Sequence, residues 1–252
     1  MSAVRKVLLV MCACMCGMAA AAAESRGVVC FTFDDYHGES WLAALPLFQK
    51  YDAHATFFIV GEITPEKADV MKKLQAAGHT VGLHSLHHRD ALPFIHDRSE
   101  EEYLRTEIKP QLDACARYGI EIRSFAYPNN RRDEASDRML FPYFDHLRAG
   151  RGPEKKTLYY PLAALPEKCY LGGTGIGSYY NSDPAVLKEE ISHAAETDSV
   201  LVFFSHNIGP ADRIKKIDMP LEWLEELLAH ARAESVRIVG FDELNSLRSA
   251  GK

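Results

Sequence analysis

The stretch Val28-Val29-Cys30-Phe31-Thr32-Phe33-Asp34-Asp35 decides how the rest of the chain is read. Its first part is apolar and rich in β-branched and aromatic side chains, with no alternation of polar positions. Such a run suits a strand buried on both faces, the habit of parallel sheets. Two carboxylates stand at its end. Acids in that place fit a solvated turn or a helix N-cap. They also fit a hydrolase in which one carboxylate binds a metal and its neighbour takes a proton from water.

Working outward, similar runs recur at Ala55–Val60, at Thr80–Leu83 after the turn residue Gly78, at Ser124–Tyr127 before Pro128, at Val200–Phe204 and at Val236–Val239. Helical patterns lie between them. Pro65–Ala77 follows Thr64 as N-cap, and Ser99-Glu100-Glu101-Glu102 reads as a capping box opening a helix towards Tyr118, closed by Gly119. Asp183-Pro184 opens another, and Pro220–Glu234 carries Leu221, Leu224, Leu227, Leu228 and Ala231 at helical spacing. This alternation predicts an α/β barrel or a doubly wound sheet. The segments Tyr36–Ser40, His88–Ser99 and Arg148–Ser182 read as loops. Trp41, Tyr159, Tyr160, Tyr179 and Tyr180 suit either sugar stacking or ordinary packing.

Asp34, Asp35, His84, Asn129 and His206 all fall just past predicted strands. That is the face where α/β barrels gather their chemistry. His84 and His88 are four apart and would share a face on a helical turn, with His84 and His87 as a competing pair. A surface histidine cluster is the alternative. His206 alone reads equally as a core histidine bonded to backbone.

The 252 residues carry 47% hydrophobic and 25% charged side chains, the balance of a globular protein. A net charge of -6 without a basic run argues against nucleic acid as a partner. Arg5 and Lys6, the apolar stretch Val7–Ala23 and the small residues Ala21-Ala22-Ala23 predict a cleaved export signal over 1–23. The mature domain then spans 24–252, secreted or periplasmic, with no stable membrane span left. Cys12, Cys14 and Cys16 lack a convincing lipobox, so lipid anchoring ranks below cleavage. Cys30, Cys115 and Cys169 allow at most one bridge, and Cys30 reads as a buried thiol.

The order Thr32-Phe33-Asp34-Asp35, His84-Ser85-Leu86-His87-His88, Phe125-Ala126-Tyr127-Pro128 and the run ending in Ser205-His206 resembles that of polysaccharide deacetylases. These are the carbohydrate esterases of family 4, built on the NodB homology domain. The resemblance extends from Val28 to Phe241-Asp242-Glu243-Leu244. It implies an α/β fold of a single domain, a distorted (β/α) barrel. It further implies one divalent metal ion, usually zinc, held by Asp35, His84 and His88, with Asp34 as base and His206 as acid. The backbone N–H of Asn129 matches the position that helps hold the oxyanion, with Tyr127 in the same oxyanion or substrate motif. Ser85 resembles the residue that braces the histidine loop. The implied activity is removal of acetyl groups from an N-acetylated carbohydrate polymer or oligomer, a hydrolysis of carbon-nitrogen bonds other than peptide bonds. An O-acetyl esterase and a barrel that binds glycan without turnover are the alternatives.

The chain departs from the pattern in places. Ala126 stands where many members carry an arginine that orients the base, as it does in a Phe-Ala-Tyr-Pro subgroup, and Arg148 is the candidate replacement. Asn129-Asn130 replaces the common Tyr-Gly. No match is found to the family's Asp- and Trp-bearing fourth motif.

Overall fold

A computed structural model describes residues 26–151 and 156–250 of the chain. The expected export signal, 1–23, lies outside the described residues. Eleven strands are present among them: β1 (Val28–Phe33), β2 (Thr56–Ile59), β3 (Thr80–Leu83), β4 (Ser124–Ala126), β5 (His146–Gly150), β6 (Tyr159–Pro161), β7 (Cys169–Gly175), β8 (Ser199–Ser205), β9 (Ile208–Gly209), β10 (Met219–Pro220) and β11 (Arg237–Ile238). β1 to β5, β7 and β8 pair in that order in parallel, and β8 returns to β1 with Val28 opposite Val200 through Phe33 opposite Ser205. The sheet is thus a closed barrel of seven parallel strands, with no free edge in the ring.

Two seams distort it. β11 pairs with β1 at Val28 and Val29, while β2 takes over at Thr32 and Phe33. β6 runs antiparallel to β8 at Ser199–Leu201, while β7 pairs with it only at Phe203 and Phe204. Short strands therefore fill the base of the barrel where its neighbours splay apart.

The helices are α1 (Gly38–Lys50), α2 (Pro65–Ala76), α3 (Ala91–Asp97), α4 (Glu100–Tyr103), a π-helical turn (Leu104–Ile108), α5 (Lys109–Arg117), α6 (Glu134–Leu140), α7 (Pro184–Glu196), α8 (Leu221–Ala233) and α9 (Leu244–Ala250). The N-caps at Thr64, Ser99 and Asp183 are made, but the Ser99 capping box is only half formed, because the Glu102 carboxylate accepts from Arg98 Nη1 instead of the Ser99 N–H. The Thr64 hydroxyl accepts from Lys67 N–H at 3.3 Å, and Ser99 accepts from Glu102 N–H at 3.0 Å. Asp183 accepts from Ala185 and Val186 N–H. α7 buries Leu187, Ile191, Ala194 and Ala195, and α8 buries Leu224, Leu227, Leu228 and Ala231. No helix among the described residues is long and apolar enough to cross a membrane. Cys30, Cys115 and Cys169 are buried free thiols.

The three segments expected to be loops need correction. Tyr36–Ser40 runs into α1, His88–Ser99 contains α3, and Arg148–Ser182 contains most of β5 with all of β6 and β7. α1 escapes a pattern search because Pro46 interrupts it. β7 escapes because its sequence, Cys-Tyr-Leu-Gly-Gly-Thr-Gly, has weak strand propensity. The glycines answer to packing. A Cβ on Gly172 would meet Leu158 Cδ1 at 2.5 Å, and one on Gly175 would meet the Tyr180 ring at 2.6 Å. Trp41 is not a sugar platform: it is fully buried on α1, tilted against Phe57 with ring centroids 5.0 Å apart.

Two imidazoles in this core make the fold sensitive to acid. His79 Nδ1 accepts from Ala55 N–H at 2.9 Å, and His146 lies against Phe241 with neither ring nitrogen hydrogen-bonded. Burial holds both down to about 4, from an ordinary 6.5. Between those values the unfolded chain binds more protons than the folded one, so stability is fully present above about pH 6.5 and falls as the pH drops towards 4. Each group removes on the order of 3 kcal/mol across that window. Urea midpoints at pH 7.5 and 4.5 check this. His146→Leu should flatten the dependence; an unchanged slope would assign the acid sensitivity elsewhere.

Candidate metal and catalytic site

The mouth of the barrel collects the polar residues that follow its strands. β1 ends in Phe33, and the ladder continues one step as Asp34 N–H donates to Ser205 C=O at 2.9 Å. The chain then turns sharply at Asp35, whose φ is 75° and whose C=O accepts from Val60 N–H at 2.8 Å. The left-handed turn separates the two adjacent side chains: Asp34 is 4% exposed, while the Asp35 side chain is 37% exposed. His84 follows β3 and donates its own N–H to Ile59 C=O at 2.9 Å.

Asp35, His84 and His88 each offer a ligand atom, and these atoms all lie within 4.8 Å of one another. Asp35 Oδ1 is 3.7 Å from His84 Nε2 and 3.6 Å from His88 Nε2. Two ligands bound at about 2.0–2.1 Å to a tetrahedral ion sit about 3.4 Å apart, so the donor set fits such an ion. His84 Nδ1 donates to Ala126 C=O at 2.7 Å, which leaves Nε2 as the lone-pair nitrogen. Burial pushes the His84 imidazole down to about 4, against the pull of Asp34, so it stays neutral and able to ligate. The half-exposure of Asp35 and His88, against 3% for the His84 side chain, leaves one side of the trio open to solvent.

His84 and His88 do not share a helical turn, which corrects the expected geometry. Ser85 and His88 have φ values of 63° and 55°, and the segment is an irregular loop. Ser85 is buried, and its C=O accepts from Gly61 N–H at 3.1 Å. His87 points elsewhere: its Nδ1 is 2.9 Å from Glu107 Oε1.

Arg148 reaches Asp34 from inside the barrel. It lies on β5, is fully buried, and donates from Nη2 to Asp34 Oδ1 and from Nη1 to Asn130 Oδ1 at 3.1 Å. Its guanidinium stacks over Phe204 and Phe58, 5.0 and 5.4 Å from the ring centroids. Burial alone would raise the Asp34 pKa. The charge of Arg148, with His84 and His206, outweighs it and holds the carboxyl below its ordinary value.

His206 follows β8. Its Nδ1 is 3.2 Å from Ile217 C=O, and its own C=O accepts from Trp41 Nε1 at 2.9 Å. Buried Asp218, next to Ile217, accepts from Asn207 and Lys215 N–H groups and so ties this loop down. Asn129 and Asn130 adopt left-handed conformations after β4, and Asn129 Nδ2 donates to Asp90 Oδ1 at 2.7 Å. Tyr127 needs correction as a substrate residue. Its side chain is fully buried and its hydroxyl donates to Asp137 at 2.8 Å, so it secures α6.

No pattern in the sequence marks His37, Asn130, Glu107 or Asp218 as belonging to the site. His37 is half-buried beside the site; burial lowers its pKa, while Asp218 and Asp35 pull it up. A groove of about 840 Å³ opens on the other side of His37, with Tyr36, His37, Glu66, Asp69 and Asn207 in its walls. Only the position of His37, two residues after Asp35, carried any signal.

Residues 21–140 match the family model described as polysaccharide deacetylase. Over that stretch, just under half of its length, the chain is similar to polysaccharide deacetylases. Among relatives, it is 40% identical over 68 residues to the peptidoglycan-N-acetylglucosamine deacetylase of Bacillus cereus, a match covering 27% of this chain and 25% of that protein. The curated relatives it matches are covered over 25–32% of their own lengths. Among solved structures, the peptidoglycan deacetylase PdaC of Bacillus subtilis superposes with a TM-score of 0.58 at 15% identity, over 90% of this chain and 93% of that one. A pseudoenzyme of carbohydrate esterase family 4 from Bacillus anthracis superposes with a TM-score of 0.57 at 16% identity, over 87% of this chain and 65% of that one. At these identities the structural likeness establishes the fold.

Proposed function

We propose that this chain is a metal-dependent hydrolase that removes acetyl groups from an N-acetylated glycan. The observation that carries the proposal is the meeting of Asp35, His84 and His88 at ligand spacing beside an ionised carboxylate, Asp34, that is not one of the three. A divalent ion held there supplies Lewis acidity towards a carbonyl oxygen and acidifies the water it binds. Its oxygen and imidazole donors suit zinc.

Asp34 takes the proton of the attacking water. Its lowered pKa keeps it ionised and so able to accept that proton. Arg148 fixes which Asp34 oxygen faces the guanidinium and leaves the other for the proton. His206 keeps Nδ1 engaged with Ile217 C=O and gives a proton from Nε2 to the departing amine. The Asn129 N–H, in its left-handed turn, is assigned to the developing oxyanion. Arg148 occupies the brace position that Ala126 leaves empty, which supports turnover over glycan binding alone. The sequence supports export through 1–23, which would place the mature chain, 24–252, against a glycan outside the cytoplasm.

Acetate release tests the proposal. Protein supplied with zinc or cobalt should release acetate from N-acetylated chitooligosaccharide or peptidoglycan faster than from O-acetylated xylan. The reverse order would make it an O-acetyl esterase, and no release from any of them would leave a binding protein. His84→Ala and His88→Ala should each lose the ion, whereas His87→Ala should keep it. Loss with His87→Ala instead would move the ligand set by one residue.

A further inference from the structure

We propose that Glu107 is a positioning residue that holds His88 in the conformation a metal ligand needs. The inference rests on the metal-centre proposal above. Glu107 is fully buried in the π-helical turn Leu104–Ile108, away from the ligand trio. Single π turns inside α-helices recur at functional sites because they turn one side chain out of the helical repeat.

The contacts of Glu107 converge on the histidine loop. Its C=O accepts from Leu86 N–H at 3.0 Å. Its Oε2 accepts from His87 N–H at 2.8 Å, its Oε1 lies 2.9 Å from His87 Nδ1, and Arg89 Nε is 3.6 Å from Oε1. One helical turn earlier, the Tyr103 hydroxyl donates to Arg89 C=O at 3.2 Å. The residues on both sides of His88 are thus gripped by one helix.

His88 itself has φ 55°, a backbone state that a non-glycine residue keeps only when its surroundings over-determine it. The grip on His87 and Arg89 supplies that determination. A buried carboxylate with bonds to the loop's backbone and side chains is a costly group to place in a core unless its partners are fixed. Here those partners surround one ligand.

Cobalt titration of the full chain, followed by its absorption bands, tests the proposal, with far-UV circular dichroism of the ion-free protein as the check on folding. Glu107→Gln keeps the volume and one acceptor; Glu107→Ala removes both. Outer partners of ligands typically change metal affinity by about 10–100-fold when removed. The expected result is a loss of about 10-fold for Glu107→Gln and up to about 100-fold for Glu107→Ala, with native dichroism. Tyr103→Phe, which releases the Arg89 carbonyl but leaves every Glu107 contact in place, should lose less than either. Folded Glu107→Gln that binds cobalt as tightly as the unmodified chain overturns the role of Glu107 and leaves the metal centre standing. An unmodified chain that takes up no cobalt overturns the metal centre, and this proposal with it.

Discussion

Asp34→Asn is expected to keep the ion and lose acetate release by about 10²–10⁴-fold, the usual contribution of a general base. Asp34 is outside the ligand trio, so the three donors that hold the ion are untouched. Asparagine has nearly the same shape, and its amide oxygen still accepts from Arg148. What it lacks is the negative charge and the free oxygen that would accept a proton. The cost in stability follows from the same contact, because the buried guanidinium of Arg148 loses its counter-charge. The measurement is kcat of ion-loaded protein below its unfolding transition, with metal content determined on the same sample. Unchanged kcat with full metal content would remove Asp34 from the chemistry.

Arg148→Met is expected to do more harm to the fold and to shift the pH profile. Removing one partner of a buried ion pair typically costs about 3–5 kcal/mol, because the other charge stays behind. Here the charge left behind is Asp34, 4% exposed. Burial raises its pKa and Arg148 lowers it, so without Arg148 the pKa must rise. The acid limb of kcat/KM, where Asp34 must be ionised, then moves to higher pH. Arg148→Lys restores the charge but lacks the fork that serves Asp34 and Asn130 together, so it should restore the limb only in part. Denaturant midpoints and pH–rate profiles read both effects. An acid limb that stays in place in Arg148→Met would show that Arg148 acts on stability alone.

The sequence exposed most of this fold because most of its elements are locally consistent. β1, β2, β3, β4 and β8 are short apolar runs, and α2, α7 and α8 announce themselves through Thr64, Asp183 and repeating leucines. The hidden elements had local signals that pointed the wrong way. β5 opens on His146 and carries Arg148 at its centre, and β7 is weakened by its glycines. Both are strands because the closed ring needs partners between β4 and β8, which is a non-local requirement.

The candidate site divides in the same way. Asp34, Asp35, His84, Asn129 and His206 could be listed from their places after strands, because a parallel barrel brings those ends to one rim, and His88 from its spacing to His84. Their spacing could not say which histidine of the loop meets Asp35. That choice is made by left-handed turns at Asp35, Ser85 and His88, and by Glu107 drawing His87 away. Nor could spacing pair Asp34 with Arg148, 114 residues later in the chain. A sequence states which charges and donors a chain possesses and where its strands end. Only closure of the barrel fixes which of them share a low-dielectric interior, since burial and distance set the strength of each pair.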